Sequence, residues 1–109
     1  MEVSPLPLEI NAPDAHRKLA DGKAVLIDVR EPYEYAAGHA SRAVLIPLME
    51  IPRRMGELPG DREILFICET GSRSLTAAHW ARESGLKAAS VAGGTSIWRI
   101  QGLPLEQGL

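Results

Sequence analysis

The chain contains one cysteine, Cys68, at the end of the apolar run Ile64-Leu65-Phe66-Ile67. Glu69-Thr70-Gly71-Ser72-Arg73-Ser74 follows it. A lone cysteine cannot close an internal disulfide, build a thiolate-rich zinc site or act as half of a Cys-x-x-Cys pair. It is an inert core residue, a nucleophile or an odd thiol. Gly71 is free to take positive φ, so the segment after Cys68 can curl. A curled loop running into a helix points several N–H groups inward, and together with the helix N-terminus they cradle an anion. The same field favours a thiolate over a thiol. Arg73 supplies a permanent charge and a planar fork suited to sulfate-like or phosphate-like oxygens. Ser72 and Ser74 are placed to cap the helix or to donate to a bound anion. A buried, hydrophobe-like cysteine is the plain alternative. It leaves the cradle unexplained, which favours the nucleophile.

Other reactive side chains are scattered. His16, His39 and His79 are too dispersed for a metal site. His39 is expected to fix a turn by hydrogen bonding, His79 to lie on a helix surface or half-buried, and His16 to be solvated. Asp28 and Arg30 flank a strand end and are expected to support the loop rather than react. Trp80 and Trp98 are expected to pack in the core or on a helix.

The elements that must carry the loop are visible as patterning. Ala24–Ile27, Ala43–Ile46 and Ile64–Ile67 are apolar runs of strand length, and Ala88–Val91 is a weaker fourth. Runs apolar at every position suit parallel strands buried on both faces. Helices are expected between them. One has Pro13 and Asp14 in its first turn and stops at Gly22. One runs from Pro32 through Tyr35 and ends near Gly38. One spans Leu48 to Leu58, interrupted by Pro52. Ser74 to Ser84 is closed by Gly85, and Thr95 to Gln101 is followed by Gly102 and Pro104. Strands alternating with helices define an α/β three-layer domain. Ligands in such sheets bind at the carboxyl ends of strands, where Cys68 stands.

With 109 residues the chain has room for one domain, residues 1–109, with 105–109 expected as a loose tail. Charged residues make up 24% and the formal net charge is −2. Neither value points to nucleic acid as a partner. No apolar run approaches the roughly 20 residues that cross a bilayer, so no membrane association is expected. The segment Met1–Asp14 lacks the basic and apolar regions of a signal peptide. Together with the scarcity of cysteine, this gives a cytoplasmic expectation. Oligomeric state is not legible.

The loop Cys68-Glu69-Thr70-Gly71-Ser72-Arg73-Ser74 resembles the active-site loop of single-domain rhodaneses, which are sulfurtransferases. Asp28-Val29-Arg30-Glu31-Pro32-Tyr33-Glu34-Tyr35, Gly38-His39, Ala43 and Ile46-Pro47 are similar to the N-terminal signature of that family. Gly93-Gly94, Trp98, Gly102 and Pro104 resemble its C-terminal signature. The resemblance implies a mostly parallel five-stranded sheet flanked by helices. It implies that Cys68 takes sulfane sulfur from thiosulfate or a persulfide, holds it as a persulfide, and passes it to a thiol, cyanide or protein acceptor. The backbone amides of Glu69 to Ser74 would hold the persulfide and the incoming anion. No metal or organic cofactor is implied. Such ping-pong chemistry needs no strong general acid.

Two other readings stand beside this one. Phosphatases and arsenate reductases of the same fold use Cys-x5-Arg, whereas here four residues separate Cys68 from Arg73. A catalytically silent binding or regulatory module is the other, although such domains usually lack the cysteine. Two departures from the family pattern carry expectations of their own. Glu69 sets a carboxylate beside the nucleophile, expected either to point to solvent or to repel dianionic thiosulfate and favour a persulfide donor. Ala40-Ser41-Arg42 replaces a larger apolar residue followed by Pro-Gly, which leaves Arg42 facing either solvent or the active-site rim.

Overall fold

The computed structural model describes residues 6–109. The first five residues, part of the segment read for a leader, lie outside the described residues. Five parallel strands form the central sheet: β1 (Glu9–Ile10), β2 (Ala24–Asp28), β4 (Ala43–Leu45), β5 (Glu63–Ile67) and β6 (Ala88–Val91). Their spatial order is β1-β6-β5-β2-β4. The register sets Asp28 beside Ile67 and beside Leu45, and Phe66 beside Ser90. All five strands therefore deliver their following loops to one edge, and Cys68 is the first residue past β5.

A core lies on each face of the sheet, as the apolar runs predict, although Val44 on the edge strand β4 is exposed. Residues of β5 alternate between two cores. Leu65 and Ile67 face Leu19, Leu26, Ala89 and Trp98, while Ile64, Phe66 and Cys68 face Ile27, Val29, Ile51, Ala77 and Ala81. The first core is covered by α1 (Ala12–Ala20) and α5 (Gly94–Ile100), the second by α4 (Ser72–Glu83). Asn11 caps α1 by accepting from the Asp14 N–H at 2.8 Å, and Pro13 sits in the first turn, where its missing N–H costs nothing. α4 presents Ala77, Ala78 and Ala81 to the sheet. Such small side chains let the helix backbone approach closely. A short helix, α2 (Pro32–Ala37), follows β2 and opens with a capping box between Glu31 and Glu34.

Several expectations are corrected. The stretch from Leu48 to Leu58 is not one helix. It is a 3-10 turn (Leu48–Glu50), a four-residue α3 (Ile51–Arg54) and a second 3-10 turn (Met55–Glu57), because in one continuous helix Pro52 would have no N–H to give the Leu48 carbonyl and its ring would clash with it, whereas at the start of α3 it fits. α4 begins two residues earlier than Ser74, at Ser72. Three two-residue strands are absent from the sequence reading: β1, β3 (His39–Ala40) and β7 (Leu105–Glu106). Residues 105–109 are not a loose tail. β7 pairs antiparallel with β3, Ser41 donates to Pro104 at 2.9 Å, and the Gly108 N–H donates to Ala36 at 2.8 Å.

Of the two placements left open for Arg42, the structure shows the solvent-exposed one, away from the rim. Arg42 adopts φ +77°, and its Nη1 donates to the Leu19 carbonyl at 2.8 Å, near the end of α1. That places it at the opposite edge of the sheet from Cys68, where a cation favours a helix C-terminus. His16 is half-buried rather than fully solvated, with its ring 5.9 Å from that of Trp98, edge to face. Trp98 is fully buried and donates from Nε1 to Pro104 at 2.8 Å. Trp80 packs half-buried on the second core, and His79 is exposed.

Candidate active site

Cys68 leaves the sheet between the start of α4 and the start of α5. Its Sγ accepts from the Gly71 N–H at 3.1 Å and lies 3.4 Å from Ser74 Oγ. Gly71 stands at φ +113°, a conformation that turns the chain back over the sulfur. The side chain of Cys68 is 1% exposed. Gly71 is the N-cap of α4, and no side chain caps that helix. Neither Ser72 nor Ser74 fills the capping role allowed for it. The N–H groups of Ser72, Arg73 and Ser74 consequently have no acceptor among the described residues. Unpaired N–H groups at a helix start are the kind of donor that an anion would take.

Ser74 is buried and central. Its hydroxyl contacts Sγ, donates to Gly71 O at 3.1 Å and lies 2.7 Å from Ser90 Oγ on β6. Ser90, a buried polar residue inside an apolar strand, was not singled out from the sequence. Its position in the run Ala88-Ala89-Ser90-Val91 was the available signal. Thr70 and Ser72 are exposed.

α5 braces the other side of the loop. Thr95 donates to the Cys68 carbonyl from its N–H at 2.8 Å and from Oγ1 at 3.0 Å, and the Ser96 N–H donates to the Glu69 carbonyl at 3.0 Å. Gly94 sits at φ +59°, and a Cβ there would lie 2.6 Å from the Glu69 carbonyl oxygen. The double glycine thus permits the close approach of α5 to the cysteine backbone.

The charges are arranged differently from the sequence expectation. Arg73 does not offer its fork to the cradle. Both Nη atoms bind Glu34 on α2, at 2.8 and 3.0 Å. That bidentate bond is the main cause that lowers the Glu34 carboxyl from its usual 4.5 to about 2. Glu34 likewise raises the Arg73 guanidinium, with Cys68 among the smaller contributors. Glu69 does not stand alone in solvent either. Oε1 is 3.0 Å from Arg30 Nη1, while Oε2 accepts from Ser96 Oγ at 2.8 Å and lies 3.6 Å from Arg99 Nη1.

Arg30 is buried, as is Asp28, which it clamps at 2.9 to 3.1 Å while also donating to Gly38 O at 2.8 Å. Burial opposes the Arg30 charge, but Asp28, with help from Glu69 and Glu34, outweighs it and raises the guanidinium. The pair ties the end of β2 to Gly38 and, through Glu69, to the loop after β5. His39 also fixes its turn: Nδ1 lies 2.8 Å from Tyr35 O and the ring stacks on Tyr35 at 3.6 Å. No group of three or more metal-ligating side chains occurs among the described residues.

Comparison with known proteins finds related sequences and the same fold. The rhodanese-like domain family matches over residues 11–101. A sulfurtransferase of Allochromatium vinosum is 35% identical over 99 residues, covering 89% of this chain and 92% of that protein. An HTH-type transcriptional regulator of Mycobacterium tuberculosis, Rv0324, is 36% identical over 94 residues, covering 84% of this chain and 42% of the regulator. The crystal structure of a rhodanese-related protein from Thermoplasma volcanium superposes with a TM-score of 0.85 at 30% identity, covering 92% of this chain and 98% of that one. The chain belongs to the rhodanese-like domain family.

Proposed function

We propose that this protein is a sulfurtransferase that carries sulfane sulfur on Cys68. The observation that carries this reading is the setting of Sγ, with a Gly71 N–H at 3.1 Å and a Ser74 hydroxyl at 3.4 Å, at the start of a helix whose Ser72, Arg73 and Ser74 N–H groups have no acceptor among the described residues. Such donors stabilise both a thiolate and the terminal sulfur of a persulfide. In the donor step the Cys68 thiolate attacks the outer sulfur of thiosulfate. A new S–S bond forms, the old one breaks, and sulfite leaves with the electron pair. In the acceptor step a thiol or cyanide attacks the terminal sulfur and regenerates the thiolate. The similarity to a sulfurtransferase over nearly the full length of both chains supports the reading.

Intact-mass measurement after thiosulfate or persulfide treatment tests it. The protein should gain one sulfur atom and lose it to cyanide or a thiol, and Cys68→Ser should gain none. A non-catalytic binding or regulatory module is the second reading. It is favoured by the 1% exposure of Cys68 and by the occurrence of a related segment within a transcriptional regulator. Failure of Cys68 to load from any sulfane donor would select it.

A further inference from the structure

Three guanidinium groups bear on the Cys68–Ser74 loop, and they differ in how they are held. Arg30 is buried and donates to Asp28, Gly38 and Glu69. Arg73 gives both Nη atoms to Glu34. Neither can turn to a ligand without stranding a carboxylate. Arg99, on α5, is different. Its side chain is 48% exposed, and its one ion pair is to Glu69 Oε2 at 3.6 Å, beyond hydrogen-bond reach. Glu69 does not depend on it, because Oε2 already accepts from Ser96 and Oε1 from Arg30. An exposed, long pair of this kind is worth little. Arg99 can therefore leave Glu69 for a better anion at small cost.

We propose that Arg99 is the specificity-determining cation for an anionic sulfur donor, and that Glu69 is the anion that occupies it between turnovers. The inference rests on the sulfurtransferase reading and names the donor class. A dianion meeting a thiolate suffers like-charge repulsion, which a guanidinium with free N–H groups offsets. The planar fork of Arg99 matches a sulfonate or carboxylate. The start of α5 is bound to the backbone of Cys68 and Glu69 through the Thr95 and Ser96 N–H groups, so an anionic head held by Arg99 is kept at the loop that carries Cys68. Thiosulfate and a small-thiol persulfide with a free carboxylate share this chemistry. In both cases Cys68 Sγ bonds to the outer sulfur as the donor's S–S bond breaks, and sulfite or the parent thiolate departs with the electron pair.

The test compares wild type, Arg99→Gln, Glu69→Gln and the double variant. Donor-half kinetics are read with thiosulfate and with glutathione persulfide. Alkylation of Cys68 is read with anionic iodoacetate against neutral iodoacetamide, which reports the same charge preference without any sulfur transfer. Arg99→Gln should lower kcat/KM for the anionic donors by about tenfold. It should lower the iodoacetate-to-iodoacetamide ratio similarly and leave the acceptor half unchanged. Loss with thiosulfate alone assigns Arg99 to the sulfonate, and loss with glutathione persulfide alone assigns it to the carboxylate. Glu69→Gln should raise anionic-donor use several-fold, and only while Arg99 is present. The proposal is overturned if Arg99→Gln changes neither the donor kinetics nor the alkylation ratio while Cys68 still loads. An equal gain from Glu69→Gln with Gln at position 99 overturns the competition between Glu69 and the donor. If Cys68 loads from no donor, the sulfurtransferase reading fails, and the alkylation ratio still decides the role of Arg99.

Discussion

At the scale of single residues, the loop owes its shape to side chains and absent side chains that leave the Cys68 sulfur and its donors in place. Gly94 is the tightest such position. At φ +59° any L side chain is strained, and a Cβ would press on the Glu69 carbonyl. The neighbouring atoms are backbone held by Thr95 and Ser96, so they cannot yield. Gly94→Ala should cost about 2–3 kcal/mol in urea unfolding and slow sulfur loading of Cys68. A variant as stable as wild type would mean that α5 can shift away from the loop. The carboxylate beside Cys68 also acts differently from its appearance in sequence. Pinned by Arg30 and Ser96, Glu69 is compensated and does not project its charge at an incoming donor unopposed.

At the scale of elements, the site is an assembly of strand ends tied by ion pairs. Arg30 joins the end of β2 to the turn after α2 and to the loop after β5. Arg73 and Glu34 join α4 to α2. The second tie has a predictable pH signature. Glu34 titrates near 2 when folded against an ordinary value of 4.5. A depressed carboxyl contributes stability above its unfolded pKa and loses it as pH falls through the folded one. The contribution of the Glu34–Arg73 tie should therefore be full at neutral pH and fade between about 4.5 and about 2. Urea midpoints of wild type and Glu34→Gln should differ at neutral pH and converge across that acid window. A constant difference would show that the carboxyl acts through packing rather than charge.

At the scale of the whole molecule, the C-terminal residues close the fold. β7 pairs with β3, and Glu106 accepts from Ser41 Oγ at 2.7 Å. Leu103 packs partly buried against the first core. Deleting residues 105–109 should lower stability by about 1–2 kcal/mol, the worth of a few exposed backbone and side-chain hydrogen bonds. It should also increase amide exchange at Ser41, the partner of Pro104 on the flanking segment. An unchanged melting curve and unchanged exchange would return these residues to the status of a tail.

By itself the sequence determined the class of fold, the four main strands and the helix after Cys68, because apolar runs and glycine stops are local signals that survive without knowledge of partners. It also singled out the loop around Cys68 and marked Asp28, Arg30 and His39 as residues that hold polar contacts near it. The two-residue strands β1, β3 and β7 were invisible, since elements so short exist only through pairing across the chain. The broken Leu48–Leu58 stretch was only half visible, because the cost of Pro52 depends on which neighbours compensate for it. Tertiary structure alone decided where the charges go. A guanidinium or carboxylate takes whichever partner the fold brings within about 3 Å, and nothing in the order of residues says that Arg73 belongs to Glu34, or that Glu69 is shared by Arg30, Ser96 and Arg99.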